Sequence, residues 1–307
     1  MTVPHGKISD DPLVAGLLAR CTFPAAGYPL VCGVSGGADS LALLVLACAA
    51  GCRVTAVHVD HGLRAGSTDE AGVVEAAAFR FGAAFRAERV VVADGANLEA
   101  RARTARHAVL GVGAATGHTA DDQAETVLAN LLRGAGVHGL AAMRAGTTHP
   151  LLDLRRRETV ALCLRLGLDP VHDPSNNDRR FLRNRIRSEL LPMCSDVAGR
   201  DVVPVLARQA GLLAGDADLL DSVAALLDPT DAAALAAAPP ALARRAVRAW
   251  LIDDDSYPPP AAAVDRVLEV ARLERKATEV PGGVRVARSR GRLWRRQVGG
   301  GDAQVQS

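Results

Sequence analysis

The sequence predicts an α/β protein: a doubly wound, mostly parallel sheet followed by a mainly helical C-terminal domain. Three observations carry this. In the first half of the 307 residues, short β-rich runs alternate with helical patterns, the order of a parallel sheet covered by helices on both faces. A glycine turn, Ser35-Gly36-Gly37-Ala38-Asp39-Ser40, joins an apolar run to an apolar helical stretch. Beyond about residue 195 the β-rich runs give way to Ala/Leu-rich helical patterns.

The elements follow in order. Residues 29–34 read as a buried strand and 41–50 as the helix after the turn. Residues 53–59 are a second buried strand. Residues 68–82 are amphipathic, with Thr68 as N-cap and Gly82 as stop. Residues 85–92 are a third strand, and 97–112 a helix capped by Asn97. Residues 114–117 are a short strand and 121–132 a helix ending at Gly134. Residues 148–154 read as another strand, 156–166 as a helix, 169–178 as a loop, and 179–191 as a helix closed by Pro192. Three further helices, 202–227, 231–251 and 261–275, are punctuated by Pro239-Pro240 and Pro258-Pro259-Pro260. Residues 278–296 resemble a hairpin turning near Ser289 to Gly291, and 299–307 a flexible tail. The expected domains are 1–195, 196–298 and that tail. No internal repeat is visible.

Composition narrows the class. Hydrophobic residues make up 49% and charged residues 23%, which is globular rather than disordered. Aromatics are only 3%, so the core rests on Leu, Val and Ala. No apolar run spans a bilayer, and residues 1–20 lack a signal-peptide pattern. The six cysteines (Cys21, Cys32, Cys48, Cys52, Cys163, Cys194) include no C-x-x-C pair and read as reduced, packed thiols; a cytosolic protein is expected. Net charge is +2, and the lysines are Lys7 and Lys276 alone. An anionic substrate must then be held by guanidinium groups or backbone amides.

The glycine turn proposes the first ligand. Backbone N–H groups at a helix N-terminus attract phosphate, and small side chains let it approach. The turn lacks the G-x-x-x-x-G-K-[ST] pattern of a standard P-loop. Its hydroxyls can bind phosphate oxygens, and Asp39 can hold Mg²⁺. His118, Asp121, Asp122 and Glu125 fall within eight positions after a strand, with 122 and 125 on one helical face. Carboxylates in a helix's first turn are also ordinary caps. In 179–187, five arginines occur in nine residues, either a basic solvent face or a phosphate contact. The segment 275–296 holds eight basic residues and one acid, beside Trp294, which suits an RNA backbone or a solubilising surface.

Four ordered motifs carry a resemblance. Ser35 to Ser40 looks like the pyrophosphate loop (S-G-G-x-D-S) of the N-type ATP pyrophosphatases, the PP-loop superfamily. Val59-Asp60-His61-Gly62-Leu63-Arg64, Gly117-His118-Thr119-Ala120-Asp121-Asp122-Gln123-Ala124-Glu125-Thr126, and the run from Leu131 to Met143 resemble one branch, the tRNA(Ile)-lysidine synthetases. The match covers roughly 30–192 and continues weakly beyond. Asn97-Leu98-Glu99 to Arg106 and Asp173-Pro174-Ser175-Asn176 with Arg183-Asn184-Arg185-Ile186-Arg187 also fit the pattern.

The resemblance implies a PP-loop catalytic domain and a tRNA-binding C-terminal domain of the short form. It implies ligation of free L-lysine to the wobble cytidine of the CAU anticodon of tRNA(Ile), through an adenylated cytidine, with ATP and Mg²⁺. It assigns Ser35, Gly36, Gly37, Ala38, Asp39 and Ser40 to ATP, Asp39 to the metal, and His118, Asp122 and Glu125 to the reaction centre. Arg103, Arg106, Arg183 and Arg187 go to the anionic reactants and tRNA. A homodimer is compatible with it. His149 and His107 depart from the arginine and tyrosine usual in the family. Two other readings stay open: cytidine thiolation by a related enzyme, which would require a C-x-x-C arrangement, and a non-catalytic nucleotide- or RNA-binding module, against which the intact acidic set argues.

Overall fold

The computed structural model describes residues 8–60, 67–90, 105, 108–171, 178–252 and 259–298. The chain divides into two compact units, 1–214 and 215–307.

In the first unit, strands β1 (Pro29–Gly33), β2 (Arg53–Asp60), β3 (Ala84–Arg89) and β4 (Ala115–Thr116) form one parallel sheet in the order β3-β2-β1-β4. Helices α1 (Pro12–Leu18), α2 (Ala38–Ala49), α3 (Ser67–Phe81), α4 (Ala120–Leu132), α5 (Val137–Leu140) and α6 (Arg156–Arg165) accompany it. Strands are added to one side of β1 as far as β3, and then β4 pairs with its other side. In register, Gly33 lies between Val57 and Thr116. The sheet thus reverses at β1/β4, and ligands of such sheets bind beyond the strand carboxyl ends at that reversal. The glycine turn follows β1, and the His118 segment follows β4.

The core explains the helix between them. Leu30, Cys32 and Val34 pack with Val54, Ala56 and the Leu41–Ala47 run of α2. That helix is buried on nearly all sides, which is why it is apolar without a polar stripe. Leu162 and Cys163 of α6 close the same core.

Three expectations are corrected. Residues 148–154 do not form a strand. The Thr148 carbonyl accepts from the Thr116 N–H at 2.9 Å, after which the chain turns, with Leu152 N–H on His149 O and Leu154 N–H on Leu151 O. Pro150, having no N–H, interrupts a ladder there; the apolar run is buried as turns instead. The helix 179–191 begins only at Leu182, and Pro192 does not close it. Leu182–Arg185 is followed by a π turn, Ile186–Leu190, and then by Leu191–Ala198. The Leu191 N–H bonds Ile186 O, so the ladder is already shifted where Pro192 lacks its N–H. Arg180 therefore precedes the helix and pairs with Asp178. Of the helix expected over 97–112, only 105 and 108–112 are described; 108–110 are helical and 111–112 are not, while 172–177 and 299–307 lie outside the described residues.

In the second unit, Ala232–Ala237, Pro240–Leu251 and Ala261–Ala271 pack around Leu235, Val247, Val264 and Val267. The expected hairpin is a three-stranded antiparallel sheet: β5 (Ala277–Val280), β6 (Val284–Ser289) and β7 (Arg292–Gln297). The β6–β7 turn falls at the expected place, with Arg290 at φ 48° and Gly291 at φ 79°, the left-handed pair of a tight hairpin. Gly282 and Gly283, both at positive φ, make the additional β5–β6 turn.

Candidate active site

The glycine turn is closed by its own hydroxyls. The Ser35 N–H donates to Ser40 Oγ at 3.1 Å, and the Ser40 hydroxyl donates to Gly37 O at 2.8 Å. Gly36 sits at φ 87°, a conformation that L side chains rarely adopt. Gly37 caps α2 without a side-chain hydrogen bond, so the first-turn amides remain as anion donors. Gly117 brings the two sides of the sheet reversal together: a Cβ there would lie 2.6 Å from the Asp39 carbonyl oxygen and 3.0 Å from Ser40 N. No other residue type permits that approach.

Across from the loop stands the first turn of α4. The Asp122 carboxylate accepts from both the N–H and the hydroxyl of Thr119, each at 2.9 Å. This is the capping role, and it occupies only Oδ2. Asp122 Oδ1 accepts from Arg156 Nη2 at 2.6 Å. Glu125, 1% exposed, accepts from Arg156 Nη1 at 3.0 Å and from Arg187 Nε and Nη2 at 2.6 and 3.1 Å. Asp39 receives Arg156 Nε at 3.2 Å and the Thr159 hydroxyl. One guanidinium therefore spans the loop helix and the acidic helix.

The electrostatics follow from burial and these partners. Burial pushes the Asp39 carboxyl above the ordinary carboxylate range, with Thr159 and Arg156 opposing it. Burial also works against the charge on Arg156, but Asp122, Glu125 and Asp39 outweigh it and hold the guanidinium protonated. Asp121 faces Arg155: burial raises its pKa, while the bidentate guanidinium (3.0 and 3.1 Å) and the Arg156 N–H (2.8 Å) bring it below the usual range.

The structure thus brings Asp39, Asp122, Glu125 and Arg187 together. Arg183 touches Thr126 at 3.4 Å on the same helix. His118 Nδ1 lies 2.8 Å from Thr116 Oγ1, and its ring centroid is 5.3 Å from that of His149. Arg103, Arg106, His61 and Arg64 lie outside the described residues. Gln123 makes a paired hydrogen bond with Met143, at 2.9 and 3.0 Å, which ties the run after α4 to that helix. Sequence reasoning missed Arg155, Arg156 and Thr159. One signal was available: three arginines at a helix N-terminus, where the dipole disfavours cations, need carboxylates from elsewhere.

Among the described residues no three His, Cys, Asp or Glu side chains form a metal-binding group. Asp39 nonetheless supplies the oxygen donor Mg²⁺ requires, and this ion ordinarily takes one or two carboxylates plus substrate phosphates. The residues fit a metal shared with a polyphosphate rather than a protein cage.

Comparisons with known proteins agree with this geometry. The model of the PP-loop domain matches residues 18–194, and that of the TilS substrate binding domain matches 231–294. The tRNA(Ile)-lysidine synthase of Nocardia farcinica is 42% identical, covering 91% of this chain and 95% of its own. That of Mycolicibacterium paratuberculosis is 45% identical over 71% of this chain and 73% of its own. Among solved structures, the U34-tRNA thiolase NcsA from Methanococcus maripaludis, with its [4Fe-4S] cluster, aligns with a TM-score of 0.55 at 18% identity, covering 69% of this chain and 85% of that one; this likeness concerns the fold.

Proposed function

The chain belongs to the tRNA(Ile)-lysidine synthase family, and on that premise we propose how its residues divide the work. The enzyme uses ATP to form lysidine on tRNA(Ile). In the first step O2 of the wobble cytidine in the CAU anticodon attacks the α-phosphorus of ATP, and pyrophosphate leaves. The amides and hydroxyls of Ser35–Ser40 receive the pyrophosphate at the positive end of α2. Asp39 would hold Mg²⁺, which would supply neutralising charge to the phosphates. In the second step the ε-amine of free lysine attacks C2, the C2–O2 bond breaks, and AMP departs with O2. The amine must lose its proton, and His118 or a nearby carboxylate is the proposed base.

Asp122 and Glu125 suit the lysine ammonium. A cavity of about 210 Å³ lined by Asp121, Glu125, Arg155, Arg156 and Arg187 offers both signs of charge to an amino acid. Arg183, Arg103 and Arg106 are assigned to the phosphates, as is Arg187 through Nη1, its Nε and Nη2 being engaged by Glu125; the basic sheet 277–297 is assigned to the tRNA backbone. A homodimer is part of the same reading, checked by the mass in solution. No helix among the described residues is long and apolar enough to cross a membrane.

The observation that carries the proposal is Arg156, whose guanidinium touches Asp39 on the loop helix and Glu125 on the acidic helix; loop and acids share one site. The thiolation alternative is not favoured, since the sequence has no C-x-x-C pair and Cys32, Cys48, Cys52 and Cys163 are buried. The test is incubation with ATP, labelled lysine and bulk tRNA. Label only in tRNA(Ile) with a CAU anticodon is expected; ATP-dependent thiolation, or no turnover, overturns the proposal.

A further inference from the structure

Beyond lining the amino-acid cavity, Arg156 has no assigned task in the two steps above, yet it meets three carboxylates of the site. It stands at the first position of α6, where its own N–H is spent on Asp121 at 2.8 Å. Its backbone is therefore anchored to α4 independently of its side chain. Each of the three guanidinium nitrogens meets a different carboxylate: Nε meets Asp39, Nη2 Asp122 and Nη1 Glu125. Thr159, one turn later on α6, bonds Asp39 as well, so α6 grips the loop helix at two points.

Those carboxylate oxygens are a limited resource. Glu125 Oε1 already accepts from Arg156 Nη1 and Arg187 Nε, and Oε2 from Arg187 Nη2. Asp122 Oδ2 is taken by Thr119, leaving Oδ1, which Arg156 occupies. A carboxylate offers about four acceptor directions. An ammonium that uses Asp122 meets Arg156 on Oδ1, and at Glu125 it finds one open direction, on Oε2, beside the Arg156 and Arg187 guanidinium groups; cations drawn to one pair of acids repel each other. Arg156 is 25% exposed on its side chain, so it has room to swing where Glu125 has none.

We infer that Arg156 is a positioning residue with two opposed effects: it holds Asp39 in place for adenylation, and it competes with the lysine ammonium for Asp122 and Glu125. The inference rests on the reading that those acids receive lysine. A purely structural ion pair would behave differently, because its loss would impair both steps together.

The experiment separates the two steps in R156Q and R156K. Lysine-free release of pyrophosphate from ATP and a CAU-anticodon tRNA(Ile) transcript reads adenylation; labelled lysine incorporation reads the second step. In R156Q the adenylation rate is expected to fall, while the KM for lysine, taken from single-turnover consumption of pre-formed adenylated tRNA so that adenylation does not enter it, falls roughly three- to tenfold, the effect of removing one competing charge from a partly solvated site. R156K, which keeps the charge but not the fork, is expected to show a smaller fall in KM. An unchanged or raised lysine KM in R156Q overturns the inference, and so does a raised one in R156K should R156Q fail to fold. E125Q distinguishes the underlying reading: its lysine KM must rise, and if it does not, the assignment of the acids to lysine fails first.

Discussion

Arg187 and Glu125 form a two-pronged ion pair, Nε to Oε1 at 2.6 Å and Nη2 to Oε2 at 3.1 Å, around a carboxylate that is 1% exposed. The arginine comes from a π turn and the glutamate from α4, 62 positions apart. The π turn aims Arg187 inward, and a second arginine, Arg156, completes the neutralisation of Glu125.

R187M should therefore destabilise the first unit by about 1–3 kcal/mol, less than a fully buried pair would cost, because Glu125 keeps Arg156. Urea unfolding measures it. Unchanged stability would mean that the pair contributes nothing net.

Gly117 should not tolerate a methyl group. With backbone atoms of Asp39 and Ser40 at 2.6 to 3.0 Å from its Cβ position, G117A must push the loop helix from β4, costing about 1–3 kcal/mol and raising the KM for ATP. G72A is the contrast: Gly72 lies inside α3 with nothing within 4 Å, so alanine there should stabilise by about 0.5–1 kcal/mol. Equal melting shifts in the two variants would refute the argument.

D39N should reduce lysine-free pyrophosphate release by about two orders of magnitude or more, since the amide cannot supply charge to a metal–phosphate complex. Near-wild-type release at limiting Mg²⁺ would remove Asp39 from the metal.

Acid stability should depend on Arg155. Burial raises the pKa of Asp121 and of Asp201, but the shared Arg155 guanidinium brings both below the ordinary range. A depressed carboxylate pKa contributes stability above its unfolded value, and that contribution is lost as pH falls through the folded value. In R155M that stabilisation is absent at neutral pH, so the variant starts less stable and other acid-labile groups unfold it at a higher pH. Circular dichroism between pH 2 and 7 should show the acid midpoint displaced upward; a coincident midpoint would contradict it.

The basic sheet offers a test of RNA contact. Arg285 is exposed on the central strand, opposite Glu279 on one side and Arg296 on the other. Arg288 instead donates to the Ala271 carbonyl, and Arg295 to Trp250 O while lying over its ring. R285A should weaken tRNA binding and lower the salt slope by about one without changing the melting temperature, whereas R288A should lower the melting temperature. An unaltered slope in R285A would place RNA elsewhere.

The sequence by itself determined the parallel sheet, the chain order of the chemistry-bearing segments and most elements. A strand, glycine turn and helix are set by neighbours in the chain, and so are the caps and carboxylates of one helical turn, such as Thr119, Asp122 and Glu125. That information is local, and local periodicity expresses it. Only the tertiary structure decided what those groups touch. Arg156 reaches Asp39 across 117 positions and Glu125 across 31, and no periodicity encodes such a pairing. The same holds for the run after Thr148, where apolar residues suited a strand but Pro150 and the bond to Thr116 made turns, and for the π turn before Pro192, which re-aimed Arg187. Charges pair through packing geometry and burial, and these exist only once the sheet has closed at β1/β4 and Gly117 has let the loop helix approach.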